Sequence, residues 1–188
     1  MGRGAEAQAW FPQQPLAGAV ARLASTPGVS RTTSLGRLFD AAAALLGVRI
    51  EQDYEGQAAM ELEALCRAPR ALPGGFALHD DALDLSPFFR YLVEEKPSKV
   101  EGAELFHGTL IEAIAAWIVN AARRIERKRV ALGGGCLMNA ALAEGVALQL
   151  QKAGVEPLLA RRAPSNDGGL SLGQAYLARR AMLRGWEQ

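Results

Sequence analysis

Apolar residues recur every three or four positions through the first two thirds of this chain, the spacing that places them on one face of an α-helix. This pattern predicts helices near residues 16–23, 35–46 and 60–66. The longest helix is predicted from about Glu101 to Arg127. Its core-facing positions would be Leu105, Ile111, Ile114, Ala115, Ile118, Ala122 and Ile125.

Short strands are predicted in two places. Residues 74–79 and 82–85 are joined by Asp80-Asp81, which favours a hairpin. Ser86-Pro87 then begins a helix, with a serine cap and a proline in the first turn. Strand, helix, strand and helix follow at residues 129–133, 139–153, 155–160 and 170–184. This alternation implies a parallel crossover, so the predicted fold class is α/β, a small mixed sheet beside many helices that looks like half of a larger domain.

Three parts are therefore expected along the chain. Residues 1–30 form an N-terminal arm and helix, and residues 31–127 form a helical part with the hairpin near 74–85. Residues 128–188 form a βαβα part that binds nucleotide.

Composition narrows the class of protein. The 188 residues are 49% hydrophobic and 22% charged, which is typical of a globular protein. A formal net charge of +1 gives no electrostatic reason to expect nucleic acid as a partner. There is no apolar segment of signal-peptide or membrane-spanning length, so no membrane partner and a cytoplasmic location are expected. The two cysteines, Cys66 and Cys136, are too few for a disulfide framework.

Two glycine-containing motifs carry the candidate chemistry. The run Val130-Ala131-Leu132-Gly133-Gly134-Gly135-Cys136-Leu137-Met138-Asn139 joins a strand to a helix. Because glycine has no side chain, the backbone N–H groups of such a loop can approach an anion or nucleotide closely. The alternatives are structural: the glycines form a tight turn that needs positive φ, and Asn139 caps the helix. The second motif, Ser165-Asn166-Asp167-Gly168-Gly169, places a carboxylate in a turn before the last helix.

Five blocks of the sequence occur in an order that is characteristic of a known family. They are Thr33-Ser34-Leu35-Gly36-Arg37-Leu38-Phe39-Asp40-Ala41, Tyr54-Glu55-Gly56-Gln57-Ala58-Ala59-Met60-Glu61-Leu62-Glu63, Phe106-His107-Gly108-Thr109-Leu110, the glycine run to Asn139, and Asn166-Asp167-Gly168-Gly169-Leu170-Ser171-Leu172-Gly173-Gln174. The chain from about residue 30 resembles the C-terminal part of HypF, the carbamoyltransferase family that matures nickel–iron hydrogenases. That part is similar to the TsaD proteins of tRNA threonylcarbamoyladenosine synthesis, within the actin, sugar kinase and Hsp70 (ASKHA) superfamily. Arg37 and Leu38 favour HypF, since TsaD proteins typically have glutamate and alanine there.

The resemblance implies a site for ATP or carbamoyl-adenylate. The implied cofactor-binding residues are Asp40, Gly56, Gly134, Gly135 and Asn139, with Asp40 on the ribose. From position alone, Asp40 is an acid in the first turn of a helix, where it complements the helix dipole. No catalytic residue is expected, because the attacking thiol would come from the acceptor protein.

The resemblance also implies that Asp167 ligates a divalent metal ion, Zn or Fe, together with a His-x-x-x-His pair. This chain has only His79 and His107, 28 positions apart, so Asp167 is expected to be an unaccompanied ligand or a turn former. His107 would be a packed core residue or would line the transfer site. Glu61 and Glu63 are expected to face solvent.

The function implied is carbamoyl transfer from carbamoyl-adenylate to the C-terminal cysteine of a HypE-like acceptor. The chain is expected to be inactive alone, because the N-terminal HypF domains and the first half of the last domain are missing from it. The alternative is a free-standing nucleotide-binding or scaffolding module, which unpaired sheet edges would favour as a homodimer. A tRNA-modification subunit is disfavoured by Arg37 and Leu38 and by the missing broad basic surface.

Overall fold

A computed structural model describes residues 4–79 and 82–184 of the chain. Its helices are α1 (Ala7–Trp10), α2 (Ala17–Ala24), α3 (Leu35–Leu45), α4 (Gln57–Leu65), α5 (Ser86–Glu95), α6 (Lys99–Arg124), α7 (Ala140–Lys152) and α8 (Leu170–Arg184). The strands are β1 (Ala77–His79), β2 (Ala82–Asp84), β3 (Arg129–Leu132) and β4 (Glu156–Leu159). Short 3-10 helices precede α1, α7 and α8, at Gly4–Glu6, Gly135–Met138 and Asp167–Gly169. The predicted helices and strands are confirmed, with bounds shifted by a few residues.

Helix α6 forms the centre of the molecule. Ser98 caps its N-terminus, because Ser98 Oγ accepts the backbone N–H of Glu101 at 3.2 Å. The helix packs against α3, α4, α5 and α7. The largest fully buried side chains of this core are Phe39, Phe88, Phe106, Leu62, Leu110, Leu142, Leu150, His107, Val146 and Thr109. By length and composition α6 would also pass for a membrane span, but more than half of its most apolar window is buried in the protein, as in a core helix.

Two glycines allow close approach to α6. A Cβ on Gly108 would overlap the backbone of Arg70, in the extended segment that crosses the helix. That segment is held there because Arg70 N donates to Glu104 O at 3.2 Å and Leu72 N donates to Thr109 Oγ1 at 2.9 Å. A Cβ on Gly145 would overlap the side chain of Ile111, where α7 crosses α6. The fold itself therefore accounts for glycine at both positions.

The strands form two separate two-stranded sheets, whereas the sequence predicted one small mixed sheet. β1 and β2 pair antiparallel, with Ala77 opposite Asp84, which agrees with the predicted hairpin. Its predicted turn, Asp80-Asp81, lies outside the described residues. β3 and β4 pair parallel, with Arg129 opposite Glu156, so the predicted crossover through α7 is confirmed. The strands are mixed in direction, but the hairpin is a local pair that joins no ladder with β3 or β4.

The start of α5 differs in detail from the prediction. Ser86 is the first residue of the helix instead of its cap. The N-cap position is held by Leu85, which makes no side-chain capping bond, and Asp84 Oδ1 just before it accepts the Ser86 N–H at 2.8 Å. Hydrogen bonds from Ser86, first from its side chain and then from this backbone N–H, lower the pKa of the Asp84 carboxyl.

The final helix, α8, has no buried face. Every side chain from residue 170 to residue 183 is exposed. Its large apolar members are Leu170, Leu172, Tyr176, Leu177, Met182 and Leu183. A helix with this many exposed apolar residues is typical of an element that another polypeptide covers.

Candidate nucleotide-facing site

The glycine loop follows directly from β3 and leads through a 3-10 helix into α7. Gly134 has φ +110° and ψ 160°, a backbone conformation that side chains with a Cβ rarely adopt. Gly135 differs, because its φ is not positive and an added Cβ would meet no atom within 4 Å. The tight-turn interpretation therefore explains glycine at position 134 and does not explain it at position 135.

The acidic turn before α8 lies against this loop. Gly134 N donates to Ser165 O at 2.7 Å, and Ser165 Oγ donates to Gly134 O at 3.3 Å. Within the turn, Asn166 Oδ1 accepts the Gly168 N–H at 3.1 Å, which leaves Asp167 exposed at the start of the 3-10 helix. The two glycine-containing motifs are thus adjacent.

Asp40 and Gly56 are joined by a residue that sequence reasoning missed, Gln52. Gln52 Nε2 donates to Asp40 Oδ1 at 3.2 Å, and Gln52 Oε1 accepts the Ala58 N–H at 3.2 Å. Ala58 follows closely after Gly56, which has φ +82°. One side chain therefore connects the candidate carboxylate on α3 to the first turn of α4.

The second oxygen of Asp40 is incompletely satisfied. Asp40 Oδ2 lies 2.9 Å from Arg37 Nη1, an ion pair without hydrogen-bond geometry. Among the described residues, no group donates a hydrogen bond to this buried oxygen. The ion pair with Arg37 is thus the contact that compensates the charge on this side of the carboxylate.

Cys136 links the glycine loop to α3. Its side chain is half-buried beside Gly36, and the charge of Asp40 acts on it. Burial, and then Asp40, raise the pKa of the Cys136 thiol, while Arg37 acts in the opposite direction. Cys136 is therefore a thiol and not a thiolate nucleophile at neutral pH.

The N-terminus of α7 is occupied by protein groups. Asn139 Oδ1 accepts the Leu142 N–H at 2.8 Å, so the predicted cap is confirmed. Glu63 Oε1 accepts the N–H of Ala140 at 2.6 Å and that of Ala141 at 3.4 Å. The expectation that Glu63 faces solvent is wrong, since its carboxylate fills the position where a helix N-terminus would bind an anion.

Asn139 also contacts His107 below the loop. Asn139 Nδ2 lies 3.0 Å from His107 Nε2, and His107 Nδ1 lies 2.8 Å from Ala103 O. His107 is fully buried, and this burial lowers the pKa of its imidazole. Of the two predictions for His107, the packed core residue is the one found.

Glu61 likewise has an internal partner. It forms a two-bond ion pair with Arg49 and accepts a hydrogen bond from Gln57 Nε2 at 3.1 Å. Gln57 Oε1 in turn accepts the Asp53 N–H at 2.7 Å. The loop that leads into α4 is therefore held by side chains on both of its sides.

These contacts link three helices in series, and we call the linked residues the wall. Asp40 connects through Gln52 to the residues after Gly56, α4 connects through Glu63 to α7, and the loop connects to the acidic turn. Two open depressions in the described part of the chain lie elsewhere, beside β4 and beside residues 47–51. Neither of them is lined by residues of the wall.

The described residues do not fit a complete metal site. They contain no group of three or more histidine, cysteine, aspartate or glutamate side chains that could hold an ion. Asp167 is exposed, and His79 lies exposed at the end of β1. Since protein metal sites need three or four ligands, Asp167 supplies one ligand at most.

Comparison with known proteins gives a consistent family. Residues 3–174 match the family described as "Carbamoyltransferase, Kae1-like Domain, second subdomain". The chain is 54% identical over 153 residues to the carbamoyltransferase HypF of Rhizobium leguminosarum bv. viciae, covering 81% of this chain and 20% of that protein. It is 38% identical over 209 residues to the carbamoyltransferase HypF2 of Cupriavidus necator, covering 95% of this chain and 26% of that protein.

A solved structure agrees with these matches. The crystal structure of full-length HypF in the phosphate- and nucleotide-bound form superposes with a TM-score of 0.80 and 29% sequence identity, covering 97% of this chain and 25% of that one. The chain thus spans about a fifth to a quarter of the length of these relatives. The predicted resemblance and fold class are confirmed, and the chain belongs to the HypF carbamoyltransferase family as the second subdomain of its Kae1-like (ASKHA) domain.

Proposed function

We propose that this chain forms one wall of the nucleotide site of a HypF-type carbamoyltransferase. The complete enzyme would transfer a carbamoyl group from carbamoyl-adenylate to the C-terminal cysteine of a HypE-like acceptor, in the cytoplasm. The remaining HypF domains would complete the site, so this chain would be inactive alone.

The observation that carries the proposal is the surface around Gly135. An added Cβ there meets open space, and the backbone needs no positive φ, so neither packing nor conformation requires glycine. A ligand that approaches the backbone closely would require it. The crystal structure of full-length HypF that superposes on this chain is a phosphate- and nucleotide-bound form, which supports a nucleotide as this ligand.

The residues of this wall would bind and orient the nucleotide. Asp40 would bind the ribose, with its carboxylate held in place by Gln52 and Arg37. Gly134 and Gly135 would give the backbone access to the nucleotide, and Gly56 would shape the opposite rim. Because Glu63 and Asn139 satisfy the first turn of α7, the glycine loop and not the helix end would contact phosphate.

The chain's contribution to transfer would be positioning and charge stabilisation. Carbamoyl-adenylate supplies the activated carbonyl that the acceptor's thiolate attacks, with AMP as the leaving group. Asp167 would give one ligand to a metal ion whose other ligands come from a different polypeptide segment. No step in this chain is assigned to that ion.

We propose that the rest of the domain docks on the exposed apolar residues of α8. The family description places this chain as a second subdomain, and the relatives are about four times as long as this chain. The first subdomain of the Kae1-like domain is therefore the partner that we propose for this surface. A homodimer through the same surface is the outcome expected of a free-standing scaffolding module.

The test compares thermal unfolding of the chain with and without millimolar ATP. Binding at a hundred times the dissociation constant would stabilise the protein by about 2.7 kcal/mol. Gly135→Ala should unfold at the wild-type temperature without ATP and lose the ATP-dependent shift. Gly173→Ala on α8, where a Cβ also meets nothing within 4 Å, should keep the shift and serves as the matched control.

Two results would contradict this proposal. The first is an absence of any ATP-dependent shift in the wild-type chain, and the second is a normal shift in Gly135→Ala. Transfer is examined separately, by adding the remaining HypF domains and a HypE-like acceptor and measuring carbamoylation of the acceptor cysteine by mass spectrometry. That product should form only when this chain is included.

A further inference from the structure

His107 is a polar side chain in an apolar core. It is fully buried on α6, with ring centroids 5.7 Å from Phe39 and 5.6 Å from Phe106. Burying an imidazole among aromatic rings is unfavourable unless both ring nitrogens have hydrogen-bond partners. Both partners are present, so the contacts of each nitrogen define the state of the ring.

The first contact fixes the tautomer. His107 Nδ1 lies 2.8 Å from Ala103 O, and a carbonyl oxygen only accepts hydrogen bonds. The proton of the neutral ring is therefore on Nδ1, which leaves a lone pair on Nε2. Asn139 Nδ2, at 3.0 Å, donates to this lone pair.

The second contact fixes the amide of Asn139. If the amide turned over, its oxygen would face the Nε2 lone pair and its NH₂ group would face the Leu142 N–H. One contact would then join two acceptors and the other would join two donors, and neither could form a hydrogen bond. The present orientation satisfies both ends, with Oδ1 on Leu142 N at 2.8 Å. One Nδ2 hydrogen and one Oδ1 lone pair are left for a ligand.

We propose that His107 is a positioning residue, which holds the Asn139 amide in the one orientation that both caps α7 and presents these remaining groups at the nucleotide-facing wall. The part that concerns nucleotide rests on the proposed function. His107 touches no nucleotide in this arrangement and acts only through Asn139.

Protonation of His107 would break this arrangement. A doubly protonated ring carries an N–H on Nε2, which would face the donor Nδ2 of Asn139. Desolvation by burial resists protonation, whereas the hydrogen bond to Ala103 O and then the carboxylate of Glu63 on α4 favour it. Phe39 on α3 and Asn139 on α7 contribute neutral groups. The Asn139 amide is therefore expected to lose this orientation only at pH values below the ordinary pKa of histidine.

Two variants separate the two ring nitrogens. In His107→Gln the side-chain amide reaches the position of Nε2 and can accept from Asn139. In His107→Asn the shorter amide reaches the position of Nδ1 and can donate to Ala103 O, but leaves Asn139 Nδ2 without an acceptor. Both variants replace a buried ring by a smaller side chain, so both lose stability.

The first measurement uses the full chain without ligand. Nitrogen NMR of the wild type should show a protonated Nδ1 and an unprotonated Nε2 on His107 at neutral pH. The Asn139 side-chain NH₂ should exchange slowly with solvent in the wild type and in His107→Gln, and about tenfold faster in His107→Asn, as expected for loss of one hydrogen bond. Equal exchange in the two variants, or a proton on Nε2, would overturn the proposal.

The second measurement determines ATP affinity of the same proteins. His107→Asn should bind ATP about tenfold more weakly than the wild type, whereas His107→Gln should keep most of the wild-type affinity. In an Asn139→Ala background, neither substitution should change the ATP affinity further. If the losses of ATP affinity from His107→Asn and Asn139→Ala add in the double variant, His107 does not act through Asn139 and the proposal is wrong. If the wild type binds no ATP, the proposed function fails, and the exchange measurement still decides whether His107 orients Asn139.

Discussion

The glycines of the α6–α7 core are closely packed, whereas those of the loop before α7 face open space. A Cβ on Gly108 or Gly145 would overlap neighbouring atoms, while a Cβ on Gly134 or Gly135 would meet none within 4 Å. Gly134 has its own reason in a positive φ. Neither packing nor backbone conformation in the described chain explains glycine at position 135, and this difference is the basis for assigning Gly135 to a site and Gly108 and Gly145 to the fold.

The largest effect is expected from Gly108→Ala. The added methyl group would overlap the backbone of Arg70, which cannot move without breaking the hydrogen bonds that hold the crossing segment on α6. Such overpacking should lower the free energy of unfolding by about 3 kcal/mol. Urea denaturation with an unchanged m-value is the measurement.

Gly145→Ala is the matched control within the same core. Here the methyl group would overlap the side chain of Ile111, which can change rotamer, so a loss of about 1–2 kcal/mol is expected. If Gly108→Ala were as stable as Gly145→Ala, the Arg70 segment would be free to yield. The packing explanation for the Phe-His-Gly-Thr-Leu block would then be wrong.

Local signals in the sequence were sufficient for most elements of the fold. The apolar period of α6 and the strand–helix–strand pattern around the glycine loop predict helices and a parallel pair that are present. Sheet assembly was not predictable in this way, because pairing between distant strands leaves no local pattern. The cap of α5 shows the same limit on a smaller scale, since Asp84 and Ser86 are both good capping residues.

The candidate site was predicted from motifs, and its supporting side chains were not. Gln52 bonds to Asp40 and Ala58, 12 and 6 positions away. Glu63 has its partners far away in sequence, so helix periodicity alone classed it as a surface residue. Glu63 bonds to Ala140, 77 positions later. The weak signal for Gln52 was a polar side chain shortly before a helix start, which is common in loops.

An intermediate effect is expected from Glu63→Ala, which removes the contact between the core helix α4 and the end of the glycine loop. Two N–H groups at the start of α7 would lose their acceptor, at about 1–2 kcal/mol. Glu63→Gln keeps an oxygen at this position and should lose about half as much. Thermal unfolding of both variants measures this order, and equal losses would mean that the charge alone matters.

The smallest effect on stability is expected at Glu61. It sharpens the contrast between the two carboxylates of α4, Glu61 and Glu63. Its hydrogen bonds from Arg49 hold the pKa of the Glu61 carboxyl below the ordinary value of 4.5. A lowered pKa in the folded state means that the folded protein binds fewer protons, so the stabilisation is present above about pH 4.5 and is lost as the pH falls through the folded pKa.

The ion pair is partly exposed, with about a third of each side chain accessible, so solvent screening keeps its contribution small. The difference in Tm between wild type and Glu61→Gln should be constant from neutral pH down to about pH 5 and should shrink below that. Arg49→Gln should give the same profile. Because Glu61→Gln keeps an oxygen that can accept from Gln57, a difference that persists at acid pH would contradict a stabilisation that depends on the charge of Glu61.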